Sequence, residues 1–314
     1  MHSRQGGEVR PAPTSREALQ QLDVLLQRFG ADFVASASAE SGLPLAEVRS
    51  LVDTFTNEAR RCGALLVDRL VPGARILEVG SGLGFVALWL AGLGYEVVAV
   101  EPGRGAFSAF GRLSQAVATA CPSPHPTWLN DPIESMRPEQ HGQFDLIFSF
   151  NVIEHLASLE TAFFSMNQLL SYGGKMVHSC ANYKIPYEPH LGIPLIPGFP
   201  AATASVFQGR VAAHRSTWDS LNFVTAAQVR QLARRFGQTV TFDEGELASS
   251  FERLLTDDTF AARQLKTVAA VRRVRRVLRL AQRTGALGLL RRWPAEWATP
   301  MTFTFKRARQ PPSP

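Results

Sequence analysis

The sequence has no run of apolar residues reaching the roughly 18 that a membrane-spanning helix needs. Cysteine is scarce: Cys62, Cys121 and Cys180 are far apart and odd in number. They offer neither metal-ligand spacing nor a disulfide framework, so a reducing, cytoplasmic setting is expected. Met1 to Ser15 is polar and proline-containing without an apolar centre, and no secretory signal is expected there. Internal repeats and extended low-complexity tracts are missing too, and the length suits one large domain or one domain with an added subdomain. One absence is local. From Thr259 to Arg292 there is no acidic residue.

What is present is ordinary in bulk. The 314 residues are 45% hydrophobic and 19% charged with a net charge of +6, enough chain to bury a sizeable core without staples. Thr14-Ser15-Arg16-Glu17 reads as a capping box opening a helix to about Phe29. Pro44, a favoured first helical residue, opens a second helix to about Leu70. Short β-branched runs then alternate with helical stretches, the pattern of a parallel sheet with crossover helices.

The predicted strands are Arg75 to Val79, Glu96 to Val100, Thr127 to Leu129, Asp145 to Phe150 and Lys175 to Ser179. Helices are predicted near Phe85 to Leu93, Arg104 to Ala120 and Leu156 to Leu170. Asn182 to His214, rich in Pro, Gly and aromatics, reads as a long ordered loop. Thr225 caps a further helix to Phe236, a strand follows at Thr239 to Phe242, and the chain closes with a strand at Met301 to Phe305. The resulting organisation is a tail (1–15), a helical cap (16–72), a core (73–245) with a long loop (182–215), a basic helical insertion (246–298), the last core strand (299–307) and a second tail (308–314).

The most informative segment is Ile76-Leu77-Glu78-Val79-Gly80-Ser81-Gly82-Leu83-Gly84-Phe85. An apolar strand runs into three alternate glycines and then a helix. Glycine permits positive φ and close approach of backbone to ligand, and the first strand-to-helix turn of an open α/β sheet is where the ligand crevice forms. The dinucleotide fingerprint would want a glycine where this chain has Phe85, so pyrophosphate binding is disfavoured. Glu101 ends the second strand about 20 residues past the glycines, placed to accept both hydroxyl protons of a ribose.

Taken together, Glu78-x-Gly80-x-Gly82-x-Gly84, then Glu101, then Phe144-Asp145-Leu146-Ile147 with Asn151-Val152-Ile153-Glu154-His155, resemble the class I S-adenosylmethionine-dependent methyltransferases. The likeness covers about Arg75 to Ala181 well and the closing elements more loosely. It implies an α/β fold, a Rossmann-like doubly wound, mostly parallel seven-stranded sheet, and S-adenosylmethionine as cofactor. Glu78, Gly80 and Gly82 would line the methionine moiety and Glu101 the ribose, with Ser81 and Gly84 of the same turn also binding the cofactor. Asp131 would lie near the adenine amino group, and Asn151 between cofactor and acceptor.

A sulfonium methyl is already activated, so catalysis rests on positioning, with a base where the nucleophile carries a proton. Histidine suits that task at neutral pH. His155, just past the fourth strand, is one candidate; it could equally open the following helix with Glu154. His190 is the other, in Tyr183-Lys184-Ile185-Pro186-Tyr187-Glu188-Pro189-His190, where Tyr183, Tyr187 and Glu188 are candidate acceptor-binding residues. No Asn/Asp-Pro-Pro-aromatic turn follows the fourth strand and no Pro-Cys nucleophile is present, which speaks against base N- and C5-methylation. Asn151 stands where metal-assisted enzymes need carboxylates, so no metal is expected.

In the insertion, Val271, Val274, Leu278 and Ala281 recur at helical spacing while arginines cover much of the rest. Such a helix packs on the core with a solvated basic face, or lies on the inner face of a membrane through 266–292. Nucleic acid is disfavoured, because no aromatics interleave with the arginines between Phe260 and Trp293. The expected function is methylation, on oxygen, of a small metabolite, glycan or lipid-linked intermediate. A nucleotide-dependent oxidoreductase and a non-catalytic cofactor-binding protein are the alternatives.

Overall fold

The computed structural model describes residues 13–103, 107–122, 124–265 and 267–307. Most of both expected tails, the first residues of the helix expected from Arg104, and Lys266 of the basic stretch lie outside the described residues.

Helices open the chain. Thr14 caps α1 (Ser15–Leu26): its hydroxyl accepts the Glu17 N–H, and the Glu17 carboxylate accepts the Thr14 N–H at 2.8 Å. A cap of this kind contributes about 1 kcal/mol. α2 (Ala31–Ser41) has no counterpart in the sequence reading. Its Ala- and Ser-rich run buries only Val34, Ala37 and Ser41, too weak an apolar period to announce a helix. α3 (Leu45–Leu66) begins beside Pro44 as expected but ends at Leu66, where a 3-10 turn at Val67–Arg69 takes over before the predicted Leu70.

The α/β unit follows as β1 (Arg75–Val79), α4 (Phe85–Gly92), β2 (Glu96–Val100), α5 (Phe110–Thr119), β3 (Thr127–Leu129), α6 (Pro138–His141), β4 (Phe144–Phe150), α7 (Leu159–Leu169) and β5 (Leu170–Cys180). β5 starts earlier than predicted because Leu170 pairs with Phe144 before an irregularity re-registers the strand at Lys175.

Asn182 to His214 is not loop throughout, which corrects the expectation. It holds the hairpin β6 (Tyr187–Glu188) and β7 (Ile193–Pro194) and the short helices α8 (Pro200–Val206) and α9 (Gln208–Ala213); α10 (Arg215–Ser220) follows at once. Proline is the reason the sequence misleads: Pro200 occupies the first turn of α8, where its missing N–H costs nothing. α11 (Ala226–Arg235), capped by Thr225 and Gln228, leads to β8 (Thr239–Phe242). The insertion comprises α12 (Glu246–Thr256), α13 (Asp258–Leu265), α14 (Val268–Arg283) and α15 (Ala286–Leu289), and β9 (Met301–Lys306) ends the fold.

The strands form one seven-stranded sheet in the order β3-β2-β1-β4-β5-β9-β8. β1 to β5 pair in parallel, and β9 runs antiparallel to both of its neighbours. This is the Rossmann-like, mostly parallel architecture expected. Alternate residues serve opposite cores: Leu77, Val79, Val98 and Val100 join the side covered by α7 and α11, while Ile76, Val97 and Ala99 join the side covered by α1 to α5. Glu78 therefore points to the same side as Ile76, beneath α3. Chain order reverses between β1 and β4, and the crevice at such a switch point is where ligands enter open α/β sheets.

Candidate active site

At the end of β1, Gly80, Gly82 and Gly84 have φ of +73°, +54° and +83°. Space excludes a side chain as firmly as φ does. A Cβ on Gly80 would meet Val152 at 2.3 Å, on Gly82 the Phe55 ring at 2.2 Å, and on Gly84 the Trp128 ring at 2.2 Å. The turn is tied to β2, since the Gly80 and Ser81 N–H groups donate to the Val100 carbonyl at 2.8 and 3.1 Å. Glu101 completes it: its carboxylate accepts the N–H of Gly82 and of Gly103, each at 3.0 Å. Burial pushes the Glu101 pKa up, and those two donors oppose the shift.

Among the described residues, Glu78 Oε2 at the end of β1 and Ser81 Oγ in the turn make no hydrogen bond, and burial raises the Glu78 pKa well above the usual carboxylate range. An unpaired buried carboxylate oxygen is costly, and an ammonium with adjacent hydrogen-bonding groups would satisfy both. The residues present thus fit the amino-acid end of S-adenosylmethionine, and Glu101 fits a ribose. Asp131 is exposed past the end of β3.

The second part of the site is a cavity of about 410 Å³. Five stretches of chain line it: Asn57, Glu58 and Arg61 from α3; Asn151 and Glu154 after β4; Tyr187 and His190 after β5; Leu247, Phe251, Arg253 and Phe260 from the insertion; and Thr299 and Pro300 before β9. Cap, post-β5 segment and insertion thus converge where the sheet opens. Glu58 also lines a small cavity against Glu78, Gly80 and Ser81, so the glycine turn and the larger cavity adjoin there. Asn151, at φ +56°, donates its N–H to the Ser179 carbonyl at 2.8 Å and so turns the chain at the tips of β4 and β5.

His190 lies on this cavity wall with Glu188 behind it. Nδ1 of His190 is 2.6 Å from Glu188 Oε1, and Glu188 also accepts the N–H groups of His190 and Leu191 and the Tyr183 hydroxyl. Burial alone would raise the Glu188 pKa, but the bonds and charge of His190 and these N–H donors outweigh it and the net shift is downward. An ionised Glu188 fixes the proton of the ring on Nδ1. Tyr183 and Glu188 were expected in the acceptor wall; both are fully buried and stand behind it. Tyr187 does line the wall, its hydroxyl donating to Gln264 Oε1 at 2.9 Å and tying the hairpin to α13.

His155 differs. Ser220 donates its hydroxyl proton to the Thr217 carbonyl at 2.7 Å, so at 2.9 Å its oxygen accepts from Nδ1 of His155. The ring packs edge-on to Phe107 and His190, with centroids 5.2 and 5.0 Å away. Burial, with His190 nearby, lowers its pKa to about 3.

Glu154, read from sequence only as a helix opener, is the clearest residue that reading missed. It is buried, its Oε1 accepts the Ala181 N–H at 3.3 Å, its Oε2 has no partner among the described residues, and burial raises its pKa to about 7. Glu154, His155 and His190 each offer a ligand atom within 4.8 Å of the others, a spacing able to hold an ion; no metal had been expected. Arg61 and Arg253 were also missed. Arg61 lies over the Phe150 ring at 5.3 Å, its pKa lowered by burial. Arg253 bonds Asn57 Oδ1 at 2.8 Å and so joins insertion to cap. The sequence could not flag Arg61 and Arg253, since isolated charged residues on helices carry no spacing signal, and the motif that holds Glu154 does not show its burial.

A family model described as a methyltransferase domain matches residues 54–241. The chain belongs to this methyltransferase family. The methyltransferase is 34% identical over 215 residues to "Uncharacterized protein Rv1509" of Mycobacterium tuberculosis, covering 65% of this chain and 71% of that protein. Among solved structures it is similar to phosphoethanolamine N-methyltransferase 2 of Haemonchus contortus in complex with S-adenosyl-L-methionine, at 15% identity and a TM-score of 0.49 over 79% of this chain and 52% of that one. The methyltransferase thus spans about half the length of that enzyme. It is also similar to an S-adenosylmethionine-dependent methyltransferase of Mesorhizobium loti, at 18% identity and a TM-score of 0.47 over 78% of this chain and 97% of that one. Among the described residues no helix is long and apolar enough to cross a membrane.

Proposed function

We propose that this enzyme methylates an oxygen of a small-molecule, glycan or lipid-linked acceptor, with His190 taking the hydroxyl proton. The observation carrying the proposal is the buried Glu188 carboxylate 2.6 Å from Nδ1 of a histidine on the cavity wall. With Nδ1 protonated, Nε2 is the ring atom that accepts a proton, and the ionised Glu188 stabilises the imidazolium that results.

S-adenosylmethionine supplies an activated methyl with a neutral leaving group. Glu78, Gly80, Ser81, Gly82 and Gly84 would hold its amino-acid end, Glu101 its ribose, and Asp131 its adenine. Asn151 would separate donor from acceptor and orient the reacting hydroxyl. Tyr187 would bound the acceptor on one side, while Tyr183 acts through Glu188. His155, neutral at physiological pH by its lowered pKa of about 3, is the weaker base and would instead buttress the His190 ring. The mostly apolar wall contributed by Leu247, Phe251, Leu254 and Phe260 suits an acceptor with a hydrocarbon part.

The test is the His190→Ala variant, assayed for methyl transfer over a pool of hydroxyl acceptors, with S-adenosylhomocysteine binding measured by calorimetry. Lost transfer with unchanged binding is expected. Full transfer by the variant would refute the assignment of the base.

A further inference from the structure

We propose that α14 docks the enzyme on an anionic lipid bilayer. Its arginine flank would meet the headgroups and its exposed aliphatic flank would enter the interface.

The helix is two-sided in an unusual way. At 3.6 residues per turn, Val271, Val274, Leu278 and Ala281 share the side packed on α12 and α13. Arg272, Arg276, Arg279 and Arg283 fall on one arc of the outward side, and all are exposed. Val277 and Leu280, 62% and 63% exposed, fall on the adjoining arc with Arg273. Arg275 turns inward, donating to the Leu254 carbonyl at 2.7 Å and pairing with Asp258. The five outward arginines have no ion-pair partner among the described residues, and no acidic residue stands between Asp258 and Glu296 to provide one nearby in sequence.

A helix that only faced water would gain from acids interspersed among its arginines and from polar residues at 277 and 280. Dense unpaired cations beside bare aliphatics suit a surface that is anionic outside and apolar just beneath. Leu289 and Trp293, 72% and 44% exposed, continue the apolar exposure in the turns that follow. A nucleic acid would use the arginines but not the aliphatics, and α14 has no aromatic on which a base could stack. The same insertion walls the acceptor cavity through Leu247, Phe251 and Phe260. Docking through α14 would hold that wall near a lipid surface, whatever atom is methylated.

The test is flotation of the full-length protein with vesicles of phosphatidylcholine alone and with phosphatidylglycerol added. Binding to the anionic vesicles only, weakened by salt, is expected. Arg276→Glu and Arg279→Glu should each weaken it about fivefold or more, and Leu280→Ser about tenfold with little change in salt dependence. S-adenosylhomocysteine affinity should stay unchanged in all three, which shows that they fold. Absence of flotation at low salt would overturn the proposal. So would flotation indifferent to Leu280→Ser, or tighter binding to duplex DNA than to the anionic vesicles.

Discussion

Glu188 Oε1 lies 2.6 Å from Nδ1 of His190, and the carboxylate is shut off from solvent. Its lowered pKa means that the folded chain keeps the charge to lower pH than the unfolded chain. The stabilisation is present above the unfolded carboxylate value and is lost as pH falls through the folded one. Glu188→Gln removes the charge and frees the ring to change tautomer. Steady-state kinetics should show kcat reduced about a hundredfold or more, with little change in donor KM. A kcat within twofold of the parent would mean that the pair is structural.

The proposed donor side rests on Glu101 and the glycine turn. Glu101→Ala removes the acceptor of two N–H groups along with the proposed ribose contact. Hydrogen bonds to charged groups contribute about 1.5–3 kcal/mol, so S-adenosylhomocysteine binding should fall at least tenfold by calorimetry. Gly82→Ala should do the same by another route, because its Cβ would lie 2.2 Å from Phe55 at a φ of +54°. Unchanged affinity in both variants would place the cofactor elsewhere.

Much of the fold, with the glycine turn that ends β1, was legible in the sequence, and the reasons are physical. Strands buried on both faces read as continuous apolar runs, as at Val97-Val98-Ala99-Val100, and glycines at fixed spacing advertise their turn. α2 was illegible because its buried stripe is alanine and serine rather than large apolar residues. α8 was hidden by Pro200, which starts a helix as readily as a proline ends one. Most of the cavity lining is not local in sequence. Glu154 becomes conspicuous only when β5, the hairpin and α3 close over it, and Arg61 and Arg253 reach one cavity from helices at opposite ends of the chain.

Glu154 offers a stability test. Its pKa is raised from 4.5 to about 7 by burial. Between those values the folded chain holds a proton that the unfolded chain has lost, so stability falls as pH rises through that window. Above it the cost is about 3 kcal/mol. Glu154→Gln keeps the acceptor for the Ala181 N–H and removes the titration. Thermal melts should show the variant more stable than the parent at pH about 8 and alike below the unfolded value near 4.5. An identical pH dependence would show that Glu154 is hydrated and ionised.

The Glu154–His155–His190 spacing invites a metal, while the Glu188–His190 pair serves as a base without one. Exhaustive chelation should leave methyl transfer unchanged, and elemental analysis of the purified protein should find no stoichiometric transition metal. Activity lost to the chelator and restored by a divalent ion would make His190 a ligand rather than a base.

The most direct measurement follows the methyl group itself. S-adenosylmethionine carrying a carbon-13 methyl is incubated with the enzyme and a pool of metabolites and lipids, and the labelled product carbon is identified by NMR. An oxygen-bound methyl, formed by the parent and absent with His190→Ala, is the predicted result. A nitrogen- or carbon-bound methyl, or an oxygen-bound one that the variant still forms, would contradict the account.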